Sequence, residues 1–354
     1  MLIDINSNHL TCYKEFEFFC FKNCCRNILE YNNIKNAKYY VNCSLDFTLL
    51  KDSNFKLGYK NIRMTDIQSV IGDYPLVKNN NKVLLHKESR DNSLDVWNEN
   101  KRKIDNGIPL IVFMDMFELY YNPIFHNKEH GLHSVILNGY KSSEEKAIIL
   151  DWYQQHWSYN LEMDMHDFFK ARESDNPMGV NVASDIPIHN SWVEIEREGW
   201  NCEYEELLIK TIDITINQYY SFSNQKNDGY VRGISALKII YKICSDYLKS
   251  RDKYEEEFFK ELYINTFMLT KNKNLFKWYI ESASNEVDSS NIKVAMRIVE
   301  NIASSWNTLL LVICKCSMAY TETLHKRVID LFAECINMEE KLYDTLYSIK
   351  YEIQ

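Results

Sequence analysis

Gly131-Leu-His133-Ser-Val-Ile-Leu-Asn-Gly139-Tyr140, a short charged turn, and Ala147-Ile-Ile-Leu-Asp151-Trp152 are the stretch on which the reading of this chain turns. A histidine opens an apolar strand over 133–138, a glycine ends it, and a second apolar strand over 146–152 closes on an aspartate. Two apolar runs joined by so short a turn predict neighbouring antiparallel strands, which would bring the His133 ring and the Asp151 carboxylate together. Far upstream, Phe18-Phe-Cys20-Phe-Lys-Asn23-Cys24-Cys25-Arg-Asn-Ile28-Leu29 sets a cysteine at the start of a helical pattern. Cys20, Cys24, Cys25, Ile28 and Leu29 fall largely on one face of it.

Working outward, residues 38–50 read as a strand. Residues 94–106 read as a helix closed by Gly107, and 108–115 as a buried strand ending on Asp115. Residues 164–173 read as a short helix with Asp164 as its N-cap. A helix followed by a run of antiparallel strands predicts an α+β first half. From about Tyr204 the chain changes character. Three-to-four-residue apolar spacing runs through 209–219, 234–248, 254–270, 292–316 and 321–350, with breaks at 223–229, 271–274 and 282–290. The expected division is a domain over 1–195 and an all-α domain over 196–354, with the boundary inside 186–202.

At 354 residues the chain is long enough for two domains. A net charge of −9 argues against nucleic acid or an anionic membrane as partner, since both need clustered Lys and Arg. The N-terminus has no basic and apolar leader, and no run reaches the length of a spanning helix. Ten cysteines at irregular spacing, without a leader, point to reduced thiols in the cytoplasm. Most of them read as small apolar fillers.

A thiol attacks as its thiolate, and the N–H groups and dipole at a helix start favour that anion. Cys20 therefore reads as nucleophile, His133 as its imidazolium partner, and Asp151 as the group fixing the ring's tautomer and orientation. Cys24, Cys25 and Cys12 are the competing thiols. The same residues are also readable as a core cysteine, a hydrogen-bonded strand histidine and a turn carboxylate. Asp115 is placed to orient His126 or His130, to bind a substrate amine, or simply to end its strand. His126 and His130 have a spacing that would suit zinc on a helix, but Pro123 and Gly131 flank them and no second ligand cluster follows, so no metal is expected. His156 and His166 lie in or near loops and read as surface residues. No glycine-rich phosphate loop is present, so nucleotide use is not indicated.

The segment Cys20-Phe-Lys-Asn23-Cys24 before Ile28-Leu29 resembles the nucleophile helix of the C39-like branch of papain-fold proteins. Residues 107–115 resemble the strand that precedes the histidine there. The arrangement Asp115, Tyr120, His130, His133, Gly139, Tyr140 and Asp151 is similar to a motif series of the butirosin biosynthesis protein H family. Phe168-Phe-Lys-Ala-Arg172 resembles a later helix of that family, so the likeness spans roughly residues 10–175. Gly233-Ile-Ser-Ala-Leu237 resembles part of the helical domain that follows.

That resemblance implies a papain-like (C39-like) catalytic half followed by a helical domain. It implies an amide-forming acyltransferase, protease-like in design, in antibiotic or nonribosomal peptide biosynthesis, with a closthioamide-type pathway as one setting. No cofactor would be bound; the acyl group would arrive on the 4'-phosphopantetheine of an acyl or peptidyl carrier protein and leave on a small amine. Cys20, His133 and Asp151 would be catalytic, with Asp115, Tyr120 and His130 lining the site. C39-type enzymes carry a glutamine oxyanion donor about six residues before the cysteine. Here Tyr13-Lys14-Glu15 stands in that neighbourhood, which leaves backbone N–H groups or Asn23 for the task. The aromatic segments 117–125 and 152–159 are candidates for a wall that keeps water from an acyl-cysteine, and equally for ordinary packing. A cysteine peptidase or amidase of the same fold, and a non-catalytic binding protein, are the alternatives.

Overall fold

The computed structural model describes residues 16, 18–45, 47–50, 67, 83–153, 156–179, 181, 183–220, 230–250 and 256–353. In chain order the elements are α1 (Cys20–Tyr31), β1 (Thr48–Leu50), β2 (Val83–His86), α2 (Ser93–Asp105), β3 (Leu110–Asp115), β4 (Leu132–Lys141), β5 (Lys146–Tyr153), β6 (His156–Asp164), α3 (Met165–Glu173) and β7 (Trp192–Ile195). Then follow α4 (Tyr204–Ile214), a π-helical turn (Thr215–Tyr220), β8 (Tyr230–Arg232), α5 (Gly233–Ser250), α6 (Glu256–Glu286), α7 (Ser290–Met318) and α8 (Glu322–Ile353). The protein is α+β, with an antiparallel sheet in its first half and a helical region after it. Two compact units result: one takes its described residues from 1–42 and 64–203, the other from 43–63 and 204–354.

The first unit is built on a six-stranded antiparallel sheet in the order β2-β7-β3-β4-β5-β6. Its centre is β3, every residue of which is buried, paired with β4 from Leu110↔Leu137 to Asp115↔Leu132. Runs buried on both faces read as continuous apolar sequence, and 110–114 is such a run. Helix α1 packs on β4 and β3 and buries Phe21, Cys24, Cys25, Ile28 and Leu29. The helix ends at Asn32, after which Asn33 turns into the left-handed region at φ 57°, a conformation Asn tolerates better than most residues.

Several expectations are corrected here. Of the strand expected over 38–50, only Thr48–Leu50 forms; residues 37–39 are a 3₁₀ turn. Tyr39, Tyr40, Val41, Cys43, Leu45 and Phe47 are buried there without a β-ladder, so apolar content alone imitated a strand. Gly139 does not end β4. The strand runs to Lys141, and the β4–β5 register shifts between Leu137 and Gly139, the kind of irregularity in which glycine is at home. His156 begins β6 rather than lying in a loop. Asp164 does precede α3, but its side chain makes no capping hydrogen bond.

In the second unit α6 packs on α7, α7 on α8, and α5 on α8. Helix α7 buries Ile292, Ala295, Val299, Ile302, Ala303, Trp306, Leu309, Ile313 and Cys316, a continuous three-to-four-residue stripe. The break expected at 271–274 is absent, because α6 runs unbroken from Glu256 to Glu286. A polar residue of that stretch faces inward: Lys273 of α6 and Glu339 of α8 are both fully buried, 3.1 Å apart. Lys273 also donates to Tyr219 Oη at 2.5 Å, and Trp306 Nε1 donates to Glu339 Oε1 at 2.5 Å. The expected break at 223–229 lies outside the described residues. Strand β1 pairs with β8 in this unit. Gly233 holds φ 54° where they meet α5, and a side chain there would collide with the Tyr219 backbone. Among the described residues no helix is long and apolar enough to cross a membrane.

Candidate active site

Three elements converge on one point of the first unit. The β4–β5 register, Ile136↔Leu150, continued by one step sets Asp151 opposite Val135. His133 is then its diagonal neighbour on the same face, within reach of a long side chain. The contact is close: His133 Nε2 lies 2.8 Å from Asp151 Oδ1 and 2.9 Å from Oδ2. An ionised carboxylate only accepts, so Nε2 carries the proton. Helix α1, lying on β4, brings its first residue, Cys20, close enough to the His133 ring for each to shift the other's proton affinity. Asp151 is buried, His133 keeps 14% of its side chain exposed, and Cys20 is half-buried.

The electrostatics follow from these contacts. Burial alone raises the proton affinity of the Cys20 thiol. The hydrogen bond and charge of His133, together with the backbone of Ser134, more than offset it and leave the thiol below its ordinary value. Burial lowers the proton affinity of His133. Asp151, by charge and hydrogen bond, and then Cys20 outweigh it and hold the imidazole well above its usual range. Both directions favour a thiolate–imidazolium pair. The neighbouring thiol of Cys24 is driven the other way. Burial, then the charges of Cys20, Cys25 and Asp151, push Cys24 well up, and its Sγ donates to Ser134 O at 3.4 Å. Cys25 is buried. In the helical unit, burial takes Cys244 to about 12 and Cys316 to about 11. Cys12 lies outside the described residues.

Of the other anticipated residues, Asn23 is buried one turn into α1, its Oδ1 accepting from Asn27 Nδ2 at 3.2 Å. The Tyr13–Glu15 neighbourhood lies outside the described residues, as do the side chains of 152–160. Asp115 is fully buried and holds His130, whose Nδ1 is 2.7 Å from Oδ2. It also accepts from Ser174 Oγ (2.6 Å), Phe117 N (3.0 Å) and Gly131 N (3.2 Å). A side chain at Gly131 would run into Met116 and meet Asn181 Nδ2 at 2.8 Å. His126 faces Phe117 O at 3.1 Å and Asn127 Nδ2 at 2.9 Å. Among the described residues no three His, Cys, Asp or Glu side chains are grouped to hold a metal.

Tyr120 does not reach this site. Its hydroxyl donates to Glu162 O at 2.8 Å and its side chain is exposed. Its neighbour reaches instead: Tyr121 Oη donates to Asp151 Oδ2 at 2.7 Å. Sequence reasoning missed Tyr121 and Ser134. Two adjacent tyrosines in a loop carry no periodicity to separate them, and Ser134 acts on Cys20, through backbone and side chain, only across segments far apart in the chain.

An α+β unit presenting a helix-start cysteine to a strand histidine and aspartate defines the class of a cysteine–histidine–aspartate constellation. Residues 45–152 match the family model described as Butirosin biosynthesis protein H, N-terminal, the family whose motifs the sequence resembles. The match takes in Asp115, Tyr120, His130, His133 and Asp151 and begins after Cys20 and Asn23. A search of curated proteins found no match.

Proposed function

We propose that this protein is a cysteine-dependent acyltransferase of papain-like, C39-like design that forms amides. The family's association with acyltransferase-type function in butirosin biosynthesis gives the coarse class. The observation that carries the finer reading is the junction of Cys20 with His133 and Asp151, contributed by elements more than a hundred residues apart. The Cys20 thiolate attacks the carbonyl carbon of an acyl-phosphopantetheine thioester on a carrier protein. The tetrahedral intermediate collapses with loss of the pantetheine thiolate, which takes the proton of the His133 imidazolium. A small amine then attacks the acyl-cysteine, His133 accepts its proton, and Cys20 leaves as thiolate with the amide formed. Exchange of one thioester for another is nearly balanced in energy, so no nucleotide enters this step. In this reading the oxyanion donor is the Cys20 N–H, at the start of α1 where backbone N–H groups lack intrahelical partners.

Cytoplasmic location suits a reduced thiol, and an acyl or peptidyl carrier protein is the donor this chemistry requires. Antibiotic or nonribosomal peptide assembly, with a closthioamide-type pathway as one instance, is the setting in which such donors occur. The test is intact-mass spectrometry after mixing the full chain with acyl-loaded carrier proteins. An acyl adduct forms on the wild-type protein, is absent in Cys20→Ala, and is discharged by added amines as amide. An adduct that persists in Cys20→Ala overturns the nucleophile. Discharge to water alone, whatever amine is offered, makes the protein a peptidase or amidase; no adduct from any thioester makes it a binding protein.

A further inference from the structure

Asp151 is shared. Its Oδ2 accepts from Tyr121 Oη at 2.7 Å while lying 2.9 Å from His133 Nε2, and its Oδ1 lies 2.8 Å from the same nitrogen. The titratable groups that act on this cluster are Cys20 and Cys24 from α1, His133 from β4, and Tyr121 with Tyr120 from the segment between β3 and β4. Of these, Tyr121 takes no part in the bond-making steps. A neutral hydroxyl donating to a carboxylate stabilises the charge where it sits. It thereby reduces what the carboxylate offers to its other partner, and it restricts rotation of the carboxylate about its last torsion.

We propose that Tyr121 is a positioning residue of the acyl-transfer site: its hydroxyl fixes Asp151 in two-oxygen contact with His133 and tempers the charge Asp151 presents to the ring. The chemistry gives this a purpose. His133 must surrender a proton to the departing pantetheine thiolate and recover one from the amine. An imidazolium facing an untempered carboxylate would hold its proton too firmly for the first of these steps. The inference rests on the thiolate–imidazolium reading given under the proposed function.

The test is an NMR titration of the His133 Cε1–H in the ¹³C-histidine-labelled full chain. In Tyr121→Phe the ring's midpoint moves up by about half a pH unit, the scale of part of one charged hydrogen bond. With 3-fluorotyrosine at position 121, a stronger donor, it moves down. A purely structural role for Tyr121 moves neither midpoint, and unmoved or reversed midpoints overturn the inference. In Cys20→Ala the midpoint falls, because the thiolate partner is gone. An unchanged midpoint in that variant overturns the ion-pair reading itself and leaves the two failures distinguishable.

Discussion

Two histidine–aspartate pairs have their histidines three residues apart at the start of β4, His130 just before the strand and His133 within it, and they are built to opposite ends. Around Asp115 every donor is a fixture: the His130 ring, the Ser174 hydroxyl and the backbone N–H groups of Phe117 and Gly131. The His130 ring is stacked on Phe117 at 4.3 Å, with 11° between the planes. This pair ties the loop before β4 to the end of β3. Around Asp151 the donors include His133 and Tyr121, and the ring's proton affinity is raised further by a half-buried thiol, Cys20. The same two residue types thus make a clamp in one place and, in the proposed function, a proton-transfer site in the other. What separates them is the third partner: a serine hydroxyl and amides on one side, a sulfur with a lowered proton affinity on the other.

Substitutions that treat the two pairs alike are the sharpest way to break this comparison. Cys20→Ala abolishes acyl transfer, and Asp151→Asn lowers the acylation rate about a thousandfold, since the ring loses both its orientation and its charge partner. Single-turnover acyl loading followed by mass spectrometry measures both. Asp115→Ala leaves several buried donors unpaired and lowers stability by about 2–4 kcal/mol, read by urea unfolding. Its acylation rate per folded molecule stays within about threefold of wild type. A thousandfold loss in Asp115→Ala with normal stability would erase the distinction between the pairs.

A subtler difference lies in pH. His133 has a raised proton affinity in the fold, so the stability it contributes is full below its unfolded pKa of about 6.5 and is lost as pH rises through its folded value. Cys20 has a lowered one, so its contribution is full above its unfolded pKa of about 8.5 and is lost as pH falls through its folded value. Wherever the folded pair is thiolate–imidazolium while the unfolded chain is thiol–imidazole, each state holds one proton and the pair adds no slope. In Cys20→Ala only the histidine remains, so stability falls with rising pH by up to about 1.4 kcal/mol per pH unit across that window. Urea midpoints of the two proteins between pH 6.5 and 8.5 show whether the curves diverge; parallel curves would mean no ion pair. The smallest effect belongs to Tyr120→Phe, whose exposed hydroxyl meets only a backbone carbonyl. It changes stability by less than about 1 kcal/mol and leaves the loading rate unaltered.

The fold was legible where burial imposes a period and illegible where it does not. The apolar runs at 110–114 and 133–137 are strands because both faces are covered, and the stripe from Ile292 to Cys316 is a helix because one face is. Residues 38–47 defeated the same reasoning, since their apolar side chains are buried from an irregular backbone. The polar run at 271–274 did so in reverse, since Lys273 faces inward to Glu339 rather than marking a loop. In the site, Cys20, His133 and Asp151 could be named because each sits at the edge of a recognisable element. Tyr121 could not be told from Tyr120, nor Cys20 from Cys24 by residue type alone.

By itself the sequence determined the sheet-then-helix order, the strand pair that carries His133 and Asp151, and the cysteine at a helix start. All three are local consequences of side-chain pattern and backbone propensity. Only the tertiary structure decided which thiol is turned to the imidazole, which tyrosine is turned to the carboxylate, and which histidine–aspartate pair is locked. Those are matters of distance and burial between segments far apart in the chain, and shifts in proton affinity from each residue's reference value depend on distance and burial.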